Sequence, residues 1–177
     1  MSDVPPLLRA SWRMQGTALV LLPGFVYQFT RMDRGDVSSR DWQIILASST
    51  ILAIHFGAWV WSLDHTSLVH SLLFVSMHPL VLVLLMPAIG SAVRRGHVTG
   101  VLVGVTGALL SMGDVEAGGE VTVIGDAAAF IGAVTVVGYL LAGRHLRSVR
   151  RVPIFVYAFP VTLAAGIWLA MAAVSLE

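Results

Sequence analysis

Three histidines, His55, His70 and His78, stand inside stretches otherwise free of ionisable side chains, and they have the most chemistry to offer. An imidazole switches charge near neutral pH and forms hydrogen bonds through either ring nitrogen. His70, Phe74 and His78 recur every four residues, so on a helix they share one face. Pro79 follows directly; lacking an N–H, it disturbs a helix one turn back and frees a carbonyl near Val75. One reading makes this face a cavity wall whose imidazoles bind substrate or carry a proton. The other makes the rings neutral partners in interhelical hydrogen bonds. Trp59 is one turn from His55, which allows either stacking on a solute or anchoring at the headgroup level, as for Trp12 and Trp61. Tyr139 and Tyr157 suit a polar core or ordinary packing.

Other chemistries lack their parts. His55, His65, His70 and His78 do not show the short paired spacing of a metal site, so no metal is expected. The chain has no cysteine, which removes disulfides and thiolate chemistry. Gly90-Ser91 has no partner that marks a nucleophile, and no glycine-rich phosphate loop is present. No enzymatic activity and no cofactor are expected. The net charge of +1 and the absence of a basic stripe interleaved with aromatics argue against nucleic acid.

The elements that must position the histidines are set by hydropathy. Of the 177 residues 56% are apolar and only 12% charged, about half the charge of a typical soluble domain. No Asp, Glu or Arg occurs at 14–30, 42–63, 65–93, 96–113, 127–143 or 152–176. A helix needs about 20 apolar residues to cross the hydrocarbon core. About six spans are expected, at 15–30, 43–62, 66–87, 97–113, 123–143 and 154–175. The third run ends as a span at Pro87 and Gly90. Residues 1–14 read as a tail and 114–122 as an acidic outer loop. The fold class is an all-α, polytopic transmembrane helix bundle with the lipid bilayer as its solvent.

Nine arginines occupy alternate gaps: Arg31, Arg34 and Arg40, then Arg94 and Arg95, then Arg144, Arg147, Arg150 and Arg151. The other gaps hold Asp64, Asp114, Glu116 and Glu120. Cytoplasmic loops concentrate positive charge, so the arginine-rich side is the inner one and both ends of this chain lie outside. An outer end bearing Arg9 and Arg13 without a signal peptide leads to the expectation that a natural first span is missing. Which membrane hosts the bundle is not encoded in the loops.

Small residues mark faces where helices approach closely. Gly100, Gly104 and Gly107 form one, and Gly132 and Gly138, among alanines, form another. Packing within the bundle is the default for both, with a dimer interface as the alternative. Asp126 is placed to cap the fifth span, since a carboxylate favours a helix N-terminus; cation binding is the other option.

In order, His78-Pro79, the Gly100-Gly104-Gly107 helix, an acidic loop, Gly125-Asp126 and Arg144-His145-Leu146 resemble the drug/metabolite transporter superfamily, in particular its EamA-like members. Leu8 to Pro23, with Trp12 and Arg13, is similar to the second helix of that pattern. The resemblance covers helices two to seven of ten, with residues 15–113 as helices two to five of the first repeat and 123–177 opening the second. Helix one and helices eight to ten find no counterpart, and Arg94-Arg95-Gly96-His97 stands where an acidic residue usually follows the fourth helix.

The resemblance implies an inverted-repeat carrier or exporter that moves small organic metabolites by alternating access. The midplane site is expected near His78 and Pro79, with a proton as a possible coupling ion. The arginine map agrees: the spans at 15–30 and 154–175, equivalent in the two repeats, run with opposite polarity. The alternative is a truncated, transport-inactive membrane protein that acts as an interaction subunit.

Overall fold

In the computed structural model, which describes residues 4–33, 35–113 and 120–176, every regular element is helical. The elements are α1 (Pro6–Phe29), α2 (Ser39–Ser62), α3 (Leu68–Val75), α4 (His78–Leu85), α5 (Arg95–Gly113), α6 (Val123–Arg144) with a π-helical turn His145–Val149, and α7 (Ile154–Leu176). The expectations at Arg34, Asp114 and Glu116 lie outside the described residues.

Among the described residues four helical segments are long and apolar enough to cross a membrane: Ser39–Ser62, Leu68–Leu85, Val123–Val149 and Ile154–Leu176. Six were expected. Helix α5 contributes only a shorter apolar segment, Arg95–Leu110. Helix α1 has 24 residues, about 36 Å of rise, but Arg13, Gln15 and Gln28 dilute its apolar character. Three of its polar side chains nonetheless find partners inside the protein. Ser11 donates to the Gly166 carbonyl at 2.8 Å, Gln15 donates to Ser11, and Gln28 accepts from the Phe155 amide at 2.9 Å. Lipid provides no such partners, so an internal match is what a bilayer demands.

Residues 1–14, expected as a tail, are helical from Pro6 onward. A proline at the first helical position needs no N–H, so Pro5-Pro6 opens a helix here. Arg9 on this extension forms an ion pair with Asp64, and the Arg13 guanidinium lies 5.5 Å over the Trp59 ring.

Two helix pairs build the core. Helix α1 runs antiparallel along α7, and α2 runs antiparallel along α6; α2 also touches α7 and joins the pairs. Close approach in the first pair depends on glycine. A methyl group at Gly24 would enter the Phe155 ring, and one at Gly166 would stand 3.0 Å from Gln15. Between the pairs lie Met14, Leu52, Val156, Val161 and Leu169, all buried. Helices α3 and α4 lean on α6, whereas α5 packs only lightly, against α3 and α4.

At the arginine-rich end, Ser38 and Asp41 form a capping box that starts α2. The buried Asp41 carboxylate also accepts from Arg150 Nε at 3.0 Å and from its Nη2 at 3.1 Å. That bond raises the Arg150 guanidinium further above its ordinary pKa. Arg151 next to it takes a left-handed φ of 58°, and the Val152 amide donates back to the Leu146 carbonyl. The chain thus closes the π-turn and enters α7.

Candidate functional site

The third expected span is two helices. Pro79 supplies no amide for the Val75 carbonyl, and the chain breaks at Ser76-Met77 before resuming as α4. The freed Val75 carbonyl is taken up locally: the His78 ring donates to it through Nδ1 at 3.3 Å. Pro79 leaves the carbonyl unpaired, and the neighbouring His78 ring covers it.

A cavity of about 770 Å³ opens at this break. One wall comes from α3 and α4, with Leu73, Ser76, Met77, Pro79 and Val83. The other comes from α5, with Gly100, Val101, Gly104 and Val105. Gly96, His97 and Ser91 close the end near the arginine-rich loops, where Arg144 reaches in from the end of α6. The volume suits a small organic ligand, since such pockets span roughly 300–1,000 Å³.

Gly100 and Gly104 of α5 front this cavity. A methyl group at Gly100, Gly104 or Gly107 would have no described heavy atom within 4 Å, so at Gly100 and Gly104 the face expected to pack a helix fronts open space instead. Gly132 and Gly138 on α6 do meet a helix. At Gly132 a methyl group would stand 3.4 Å from the His55 carbonyl and 3.5 Å from Trp59, and at Gly138 it would be 3.5 Å from Ile51.

The other histidines lie elsewhere. His55 is buried between α2 and α6, where its Nδ1 donates to the Gly132 carbonyl at 2.8 Å. Its ring stacks toward Trp59 at 6.3 Å between centroids. Trp59 sits within the bundle among His55, Phe56 and Arg13, and its buried Nε1 has no partner among the described residues. His70 belongs to the opposite end, where Nδ1 donates to Asp126 at 3.0 Å. Tyr139 stacks on Tyr157 and lines a separate pocket of about 140 Å³ with Arg144 and Arg147. Of the sequence candidates, only Pro79 and the two glycines Gly100 and Gly104 line the larger cavity.

Asp126 requires a correction. Thr122 caps α6 by accepting from the Gly125 amide at 3.1 Å. Asp126 instead accepts from Thr66 at 2.7 Å and from His70, which ties α6 to the start of α3. Its carboxylate still lies in the first turn, where the helix dipole favours it.

Sequence reasoning did not single out Arg144, His97, Ser76 and Ser91 as lining residues. His97 stood in view within Arg94-Arg95-Gly96-His97, and Ser76 lies one turn before α4 is fully formed. Among the described residues no group of three or more His, Asp or Glu side chains converges as a metal site.

No curated protein and no solved structure matches the chain. A family model for EamA-like transporters matches residues 1–113, which run to the last residue of α5. With long apolar helices and a match over more than half its length, this is an integral, multi-pass membrane protein, and the chain belongs to the EamA-like transporter family.

Proposed function

We propose that the cavity between α3, α4 and α5 is the solute site of a secondary carrier for small organic metabolites that works by alternating access. The observation that carries this reading is the helix break at Ser76-Met77-Pro79, which opens onto the cavity. Discontinuous helices near the middle of a bundle are where secondary carriers bind solute, because an unwound turn exposes backbone groups at membrane depth. The antiparallel pairing of α1 with α7 supports an inverted repeat around this site. In this reading the loops Arg31–Arg40, Arg94–Arg95 and Arg144–Arg151 face the cytoplasm.

The light packing of α5 supplies the moving part, since an element held by few contacts reorients at low energetic cost. The test is uptake of a mixed pool of isotope-labelled metabolites into proteoliposomes, with Gly104→Trp as the variant. Its Cβ would meet no neighbour, and its indole would project into the cavity. Wild-type uptake abolished by Gly104→Trp is the expected result. Uptake that persists at the wild-type rate in a folded Gly104→Trp protein would assign the solute path elsewhere.

A further inference from the structure

The cavity is asymmetric along its length. From His97 to Ala108 the α5 wall runs about 16 Å, and between His97 and the break at Ser76 the lining is aliphatic, with Leu80, Val83 and Val101, as it is farther along α5 at Val105 and Ala108. Apart from Ser76 at the break, the polar lining side chains gather at the end near the arginine-rich loops. There Arg144 lines the cavity, and among the described residues it has no carboxylate partner, unlike Arg9 with Asp64 and Arg150 with Asp41. Among the described residues no Asp or Glu lines the cavity. His97 adds a directed donor. Its Nδ1 accepts from the Arg94 amide at 3.2 Å, so the neutral ring carries its proton on Nε2.

A free guanidinium and a ring N–H at the mouth of an aliphatic slot have one complementary ligand type. Resting on the carrier reading above, we propose that the solute is a single-chain organic anion. Its carboxylate or phosphate is held by Arg144 and His97, and its apolar tail lies along α5 toward Ala108. Guanidinium binds such a group through two parallel N–H donors, and aliphatic walls reject a second charge. A cation would meet Arg144 head-on, and a uniformly polar solute would leave its hydroxyls unpaired against Val101 and Val105.

The experiment is photolabelling of the protein in zwitterionic phosphatidylcholine nanodiscs with decanoate bearing a diazirine on its tail, with adducts mapped by mass spectrometry. Labelling is expected on α3, α4 and α5 lining residues. Unlabelled decanoate should compete at least about tenfold better than decanol, as one charge-assisted hydrogen bond implies, and decyltrimethylammonium should not compete. Arg144→Gln should weaken labelling about tenfold, Arg144→Lys should restore part of it, and Arg31→Gln should leave it unchanged. Equal competition by decanol, or labelling indifferent to Arg144→Gln in a protein of unaltered helix content, would overturn the proposal. So would loss of labelling when phosphatidylglycerol is added to the disc, since a lipid headgroup would then own the site. Because only binding is read, such a failure leaves the carrier reading to the uptake assay.

Discussion

Gly125 and Gly104 are both helical glycines in an apolar chain, and the structure assigns them opposite fates on substitution by alanine. A methyl group at Gly125 would stand 2.5 Å from the His65 carbonyl oxygen and 2.6 Å from its carbon, about 1 Å inside the optimum for such contacts. Both are backbone atoms and cannot swing aside. The start of α6 must then move away from the α2–α3 turn, which strains three linked bonds. These are Thr122 to the His65 carbonyl, Thr66 to Asp126 and Gly125 to the Thr122 cap. Overpacking costs about 1–3 kcal/mol, and a weakened cap adds roughly 1 kcal/mol. Gly125→Ala should therefore lose about 3 kcal/mol, which lowers the melting midpoint by roughly 6–12 °C for a chain of this size. Gly104→Ala meets open space and should be neutral or gain about 0.5–1 kcal/mol from its better helix propensity. Tryptophan fluorescence during heating in detergent micelles reads both. A Gly125→Ala midpoint within 2 °C of wild type, or an equal loss in Gly104→Ala, would refute the packing described around His65 and α5.

Other expectations follow from single contacts. Asp41→Asn removes the charge that accepts from Arg150 and weakens the α2 capping box to a neutral acceptor; a loss of about 1–3 kcal/mol should appear in the same melts, discounted because Arg150 is half exposed. Pro79→Ala returns an amide to the Val75 carbonyl, so hydrogen exchange at Met77–Val81 should slow about tenfold or more as the break heals; unchanged exchange would mean that something other than the proline holds it open. His78→Ala uncovers the same carbonyl at the cavity-side break, and uptake by reconstituted protein should fall; unchanged uptake, with and without a pH gradient, would remove His78 from the transport path.

The disturbance at Pro79 was legible from its missing N–H, but the full break was not, since Pro23 and Pro160 lack the same group inside unbroken helices. What covers the freed carbonyl was not legible. Face analysis placed His78 beside His70 on a shared wall, whereas the ring folds back to Val75. The glycines show the same limit. Gly100-xxx-Gly104 and the Gly132 region carry one pattern, yet among the described residues a helix lies against Gly132 and not against Gly100 or Gly104. A small-residue face states that a neighbour can come close, and tertiary placement decides whether one does. Asp126 was read as a cap from its position, and it lost that role to Thr122 because Thr66 and His70, some sixty residues earlier in the chain, compete for its carboxylate. Residues 6–14 were assigned to a tail because their arginines oppose a span, and the pairing of Arg9 with Asp64 could not be seen before the fold brought them together. Family membership was legible from motif order, since helix order survives where individual contacts cannot be inferred.

Natural absence of cysteine makes the orientation directly measurable, since any introduced thiol is unique. Single variants Ser39→Cys, at the start of α2, and Ser148→Cys, in the π-turn, place exposed thiols beside two arginine-rich stretches, and Val121→Cys places one at the other end of the bundle. With a membrane-impermeant maleimide applied to intact cells and then to inverted vesicles, Ser39 and Ser148 should react only from the cytoplasmic side and Val121 only from outside. Reaction of Ser39 and Ser148 from opposite sides would contradict the shared arginine face, and with it the inverted repeat on which the carrier mechanism rests.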